Sequence, residues 1–189
     1  MLVISGLIGS GTSLLAQLAH ETGVVMGSLM DFTFNGVQLE WEDRDFSHTL
    51  SRWAMNGIEV DDSFLDEYLE ARKVQHGRLS ETFVRVGFGV KTPLALLYRP
   101  ELEAAAERAG LTLVWLLTDR DPAECWQAIL RKIHGMKIHS SYNFGLCLQL
   151  FALQEMVKRS NPSGFDRISF ESLVHEPEKV RQHISERMA

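Results

Sequence analysis

An apolar run of strand length, Leu2-Val3-Ile4-Ser5, leads directly into Gly6-Leu7-Ile8-Gly9-Ser10-Gly11-Thr12-Ser13 and then into Leu14-Leu15-Ala16-Gln17-Leu18-Ala19. The last stretch puts Leu14, Leu15, Leu18 and Ala19 on one face of a helix. A strand, a glycine-rich turn and a helix in that order form the setting in which backbone N–H groups receive a phosphate or sulfate. Gly6 and Gly11 allow the backbone to turn and approach an anion without a Cβ in the way. Ser10, Thr12 and Ser13 add hydroxyl donors. The glycine spacing fits the outer frame of a P-loop, yet Thr12 stands where an ATP-type loop carries its Lys.

The rest of the chain narrows the class. At 189 residues it is long enough for one domain with a real core and short of two. A formal net charge of −6 argues against nucleic acid as the main partner. The two cysteines, Cys125 and Cys147, lie in apolar, helix-like surroundings, which fits buried thiols in a reducing cytoplasm better than a disulfide framework. No Cys/His spacing suggests zinc, no apolar run reaches membrane-span length, and no signal peptide is read.

Taken in order, the first helix is expected to stop at Gly23, followed by a short extended Val24-Val25-Met26 and a loop over 28–38. A helix carries Phe46, Leu50 and Trp53 on one stripe and stops at Asn56-Gly57. Asp61-Asp62-Ser63 caps the next helix, which Gly77 is expected to end. Alternation over Val84–Val90 predicts a strand that delivers Lys91-Thr92-Pro93 at the sheet's ligand edge. Pro100 and Gly110 bracket a helix. The near-continuous apolar run 111–118 predicts a central strand buried on both faces. It ends at Asp119-Arg120-Asp121-Pro122, and the following helix is expected to turn Trp126, Ile129, Leu130 and Ile133 inward. A long helix over 140–159, a strand over Arg167–Phe170 and a terminal helix opened by Pro177 complete the chain.

Several of these segments, in this order, resemble the bacterial-type sulfotransferases that use 3′-phosphoadenosine 5′-phosphosulfate. The segments are the loop ending Ser10-Gly11-Thr12-Ser13, the acidic Glu42-Asp43 before Phe46, Lys91 separated from Pro93 by one residue, and Arg120-Asp121-Pro122 after a buried strand. The resemblance implies a single three-layer α/β/α domain over 1–189, with a parallel sheet, like the P-loop nucleoside triphosphate hydrolases. It implies transfer of a sulfuryl group to a hydroxyl or amine on a small-molecule or glycan acceptor, without a metal. By residue, Gly9, Ser10, Gly11, Thr12 and Ser13 would hold the phosphosulfate and Arg120 the 3′-phosphate. Glu42 would be the general base and Lys91 would neutralise the leaving group.

Three positions depart from the family pattern: Ile8 stands for a Pro, Gly9 for the loop cation, and Ala128 for a Ser that assists the Arg. Other readings of the same residues stay open. Glu42 and its neighbours also suit an acidic first helical turn, with His48 as reserve base. Lys91 also suits a surface loop, and Arg120 a pairing with a nearby Asp. A nucleotide- or anion-binding protein of this fold without catalysis is the second function class. A P-loop phosphotransferase, with Asp119 as the acid ending a buried strand, is the third.

Overall fold

The structure is a computed structural model and describes residues 1–26, 33–34, 37–38, 43–56, 60–82, 87–136, 151–152, 155–156 and 164–189. The chain has a three-layer α/β/α fold around a parallel sheet. Five parallel strands form its middle layer: β1 (Leu2–Gly6), β2 (Val24–Val25), β5 (Gly87–Lys91), β6 (Val114–Asp119) and β7 (Asp166–Ser169). Their spatial order is β2-β5-β1-β6-β7, so the strand that feeds the glycine loop is central. Leu2 pairs with both Gly89 and Val114, and β1 is buried along its full length. A separate antiparallel pair, β3 (Thr33–Phe34) and β4 (Val37–Gln38), lies in the stretch expected to be loop.

Strand alternation sorts the core into two layers. Leu2, Ile4 and Leu116 face α1 (Thr12–Glu21), α6 (Phe170–His175) and α7 (Pro177–Met188), with Leu15, Leu173 and Ile184 buried among them. Val3, Val90, Trp115 and Leu117 face the other way, onto α2 (Arg44–Asn56), α3 (Asp62–Thr82), a 3-10 turn over Pro93–Tyr98 and α4 (Arg99–Arg108). Helices cover both faces because each parallel crossover must return the chain over one of them.

The helix limits follow local chemistry. Asp61 accepts from Ser63 N and Phe64 N at 3.0 and 3.3 Å and so caps α3. Pro100 opens α4 within its first turn, and Gly110, at φ +66°, follows its end. Three expectations are corrected. Gly77 does not end α3, which continues to Thr82; a Cβ there would meet nothing, so this glycine serves no turn. Phe170 belongs to α6, whose first turn is capped by Ser169 Oγ accepting from Ser172 N. On α5 (Pro122–Met136) Ile129 is buried, but Trp126 and Leu130 are 40 % and 38 % exposed, because the face turned inward runs through Cys125 and Ile129. The long helix over 140–159 lies almost wholly outside the described residues. Among those described, no helix is long and apolar enough to cross a membrane.

Candidate functional site

The loop between β1 and α1 is held from three sides. From within, Ser10 N donates to Leu7 O at 3.0 Å and Ser10 Oγ to the same carbonyl at 2.6 Å. Ser10 Oγ also lies 2.5 Å from Thr118 Oγ1. A hydroxyl has one proton to give, so Ser10 donates to Leu7 and accepts from Thr118. The Ser10 side chain is fully buried. Its hydroxyl thus braces the loop on β6.

From the second side, α5 presses on Gly9. This residue sits at φ +86°, in the left-handed region that only glycine occupies without cost. A Cβ there would come within 2.6 Å of Cys125 O and 3.2 Å of Ala128 Cβ. Gly9 and Ala128, which depart from the expected pattern separately in sequence, are therefore one packing contact. Position 9 has no room for a side chain, and the residue it rests on at 128 is small. A Gly9→Arg replacement would not restore a loop cation; it would dislodge the loop.

From the third side comes the β7–α6 junction. Gly11, the residue that caps α1, sits at φ +99°, and a Cβ on it would fall 2.8 Å from the Phe170 ring and 3.0 Å from Leu173. With Gly11 so placed, the first N–H groups of α1, those of Thr12, Ser13 and Leu14, precede the intrahelical ladder and point out of the helix end. They carry the positive end of the helix dipole. The small cavity beside them, of about 230 Å³, is lined on one side by Ile8, Gly9, Gly11, Thr12 and Ser13. Ala128, Ile129 and Phe170 form its other wall. Pockets that hold a drug-sized ligand run to about 300–1,000 Å³. This one is smaller than that range, with space for a group the size of a phosphate or sulfate.

Arg120, at the end of β6, is drawn to the loop from outside the cavity. Its Nη1 donates to Gly9 O at 3.0 Å and its Nε to Glu124 Oε2 at 2.9 Å. The guanidinium stacks on the Phe170 ring at 3.8 Å and its side chain is 13 % exposed. These bonds use two of the five N–H groups of the fork, which leaves three with no protein partner among the described residues.

Lys91 ends β5, the strand beside β1, and is only 2 % exposed. Its register partner is Ile4, so it shares the α1 face of the sheet. Gly6 lies two residues farther along β1, which puts the two Cα atoms roughly 8 Å apart from strand rise and spacing. Glu42 lies outside the described residues. Its neighbour Asp43 is fully buried, accepts from Phe46 N at 3.1 Å and pairs with Arg72. Asp43 is thus a structural cap of α2, as the helix-turn reading expects. Burial, then the Asp43 charge, hold the Tyr68 phenol above its ordinary value. His48 is exposed on α2.

The structure brings together Gly9, Ser10, Gly11, Thr12, Ser13 and Arg120, with Lys91 one strand away. Sequence reasoning missed Thr118, Glu124 and Phe170, all of which hold the loop. None carries a motif; each is recognised only once β6 and β7 lie beside β1.

No family model and no curated protein matches the chain. Among solved structures it is similar to the unliganded crystal structure of a sugar kinase from Janibacter sp. HTCC2649. The likeness covers 96% of this chain and 90% of that one, at 15% identity and a TM-score of 0.49.

Proposed function

We propose that this protein binds 3′-phosphoadenosine 5′-phosphosulfate at the β1–α1 loop and transfers its sulfuryl group to a hydroxyl or amine of a small-molecule or glycan acceptor. The observation that carries the reading is the loop geometry. Left-handed Gly9 and Gly11 bring Thr12 and Ser13, at the open N-terminal end of α1, to the wall of a cavity the size of an anionic group.

In this reading those amides and the Thr12 and Ser13 hydroxyls hold the phosphosulfate, and Arg120 offers its three remaining N–H groups to the 3′-phosphate. The acceptor oxygen or nitrogen forms a bond to sulfur. The bond from sulfur to the bridging oxygen breaks, and its electron pair leaves with the nucleotide 5′-phosphate. Lys91 offsets the charge on that oxygen, and Glu42 takes the acceptor proton. Donors fixed in advance toward developing charge supply most of the rate in such a site.

A second reading, nucleotide binding without catalysis, has one observation in its favour. The contact of Gly9 with Cys125 O denies the loop a cation of its own. Calorimetry separates the classes: 3′-phosphoadenosine 5′-phosphate should bind, and ATP with magnesium should not. The reverse preference would replace sulfuryl by phosphoryl transfer. Binding with no turnover over a broad acceptor panel would favour the second reading.

A further inference from the structure

We propose that Arg120 is a positioning residue that latches the anion loop in its binding conformation through the Gly9 carbonyl. The inference rests on the anion-binding reading above. It gives Arg120 a task that is complete before any nucleotide arrives.

Glycine has the widest choice of backbone conformations, so a loop that depends on Gly9 at φ +86° must be fixed from outside. The approach of Gly9 to Cys125 and Ala128 excludes side chains. The Ser10–Thr118 bond braces the loop one residue farther on, and the Arg120 Nη1 bond to Gly9 O, which spans 111 residues of sequence, ties Gly9 itself. The latch is itself held still. Glu124 fixes Nε from one turn along α5, and Phe170 supports the guanidinium face. Phe170 also abuts Gly11, so one ring supports the latch and the helix cap together.

A guanidinium suits this task because its planar fork donates along two edges at once. A lysine keeps the charge but cannot bond Gly9 O and Glu124 in the same planar geometry. Arg120 also stands where it raises the positive potential beside a loop that has no cation in its lining.

The test uses inorganic sulfate as probe, with Arg120→Ala, Arg120→Lys and Glu124→Ala in the full chain. Arg120→Ala should weaken sulfate binding about tenfold or more, as loss of a charge-assisted hydrogen bond implies. Arg120→Lys should fall close to it. Methylguanidinium added to Arg120→Ala should recover part of the loss. Adenosine 5′-phosphosulfate, which lacks a 3′-phosphate, should lose as much as sulfate.

Hydrogen exchange on the ligand-free protein gives a second readout. The Ser10 amide, bonded to Leu7 O, and the Leu15 amide, bonded to Gly11 O, should exchange faster in Arg120→Ala, while those of β1 and β6 stay protected. Unchanged sulfate affinity with unchanged loop exchange would overturn the latch. So would faster exchange throughout the sheet, which would make Arg120 a general structural residue. Should Arg120→Ala not fold, Glu124→Ala keeps the guanidinium and removes the acceptor of its Nε; loop exchange should then rise, and no rise would overturn the proposal. If wild type fails to bind sulfate, the anion-binding reading fails, while the exchange comparison still decides the latch.

Discussion

The aromatic layer on one side of the sheet and the glycine loop beyond β1 are held in opposite ways. Under the α2–α3 side, large rings fill the space: Phe46 stacks on Tyr68 at 4.8 Å, Phe64 stacks on Tyr68 at 6.0 Å, and Trp53 meets both Phe64 and Tyr98 edge-on. A buried Asp43–Arg72 pair sits in that layer, with the Arg72 guanidinium over the Tyr68 ring. At the loop, contacts are made by residues with almost no side chain, Gly9, Gly11 and Ala128. The aromatic side is therefore damaged by removing atoms and the loop by adding them. Stability and ligand binding should separate along the same line.

Breaking the buried pair should give the largest effect. Arg72→Met leaves the Asp43 carboxylate buried without its cation, which costs about 3–5 kcal/mol. Denaturant unfolding should show that loss, and sulfate affinity in the remaining folded protein should be unchanged. A large loss of affinity would mean the two regions are not independent. Next is Gly9→Ala, where left-handed strain and a contact with a backbone carbonyl together cost roughly 2–4 kcal/mol. Calorimetry should show sulfate binding reduced far more than thermal stability. The double variant Gly9→Ala with Ala128→Gly should not recover binding, because the nearer obstacle is Cys125 O.

A smaller effect is expected from Thr118→Val. It removes the donor that Ser10 Oγ accepts while the shape is kept, for about 0.5–1.5 kcal/mol by thermal unfolding. The smallest sharpens the helix-side comparison by pH. Arg181 on α7 bonds Glu21 at the end of α1 and, as the leading cause, holds that carboxyl below its usual value. A depressed folded-state pKa gives stability that is present above the unfolded value and is lost as pH falls through the folded one. Glu21→Gln should therefore cost under about 1 kcal/mol at neutral pH, as an exposed pair does. The gap from wild type should close as the solution is acidified below the carboxylate range.

Much of this architecture can be read from residue patterns. The β1–loop–α1 unit, the buried run that becomes β6, and the Pro/Gly limits of α4 depend on neighbours in sequence. What escapes is partnership across strands. Ala128 reads as a lost polar group until α5 is laid against Gly9. Phe170 reads as the last residue of a strand, although its ring supports both Arg120 and Gly11. Periodicity gave α5 an apolar face but not its direction, because Trp126 and Leu130 lie only a fraction of a turn from Cys125 and Ile129. Gly77 read as a stop because propensity counts a glycine without knowing what packs on the helix around it.

The central place of β1 has a consequence for the order in which the molecule can be made. Leu2 pairs with Gly89 on one side and Val114 on the other. Strand β1 must therefore wait for two partners synthesised much later. At about 5–20 residues per second, the second of them emerges roughly 6–22 s after β1. Until β5 emerges Leu2-Val3-Ile4 is an apolar segment with both edges open, until β6 emerges it still has one, and over the whole interval the glycine loop that follows it has neither α5 nor α6 to rest against. Nascent chains of this protein should be most vulnerable to misassociation in that window, and least once β6 has emerged.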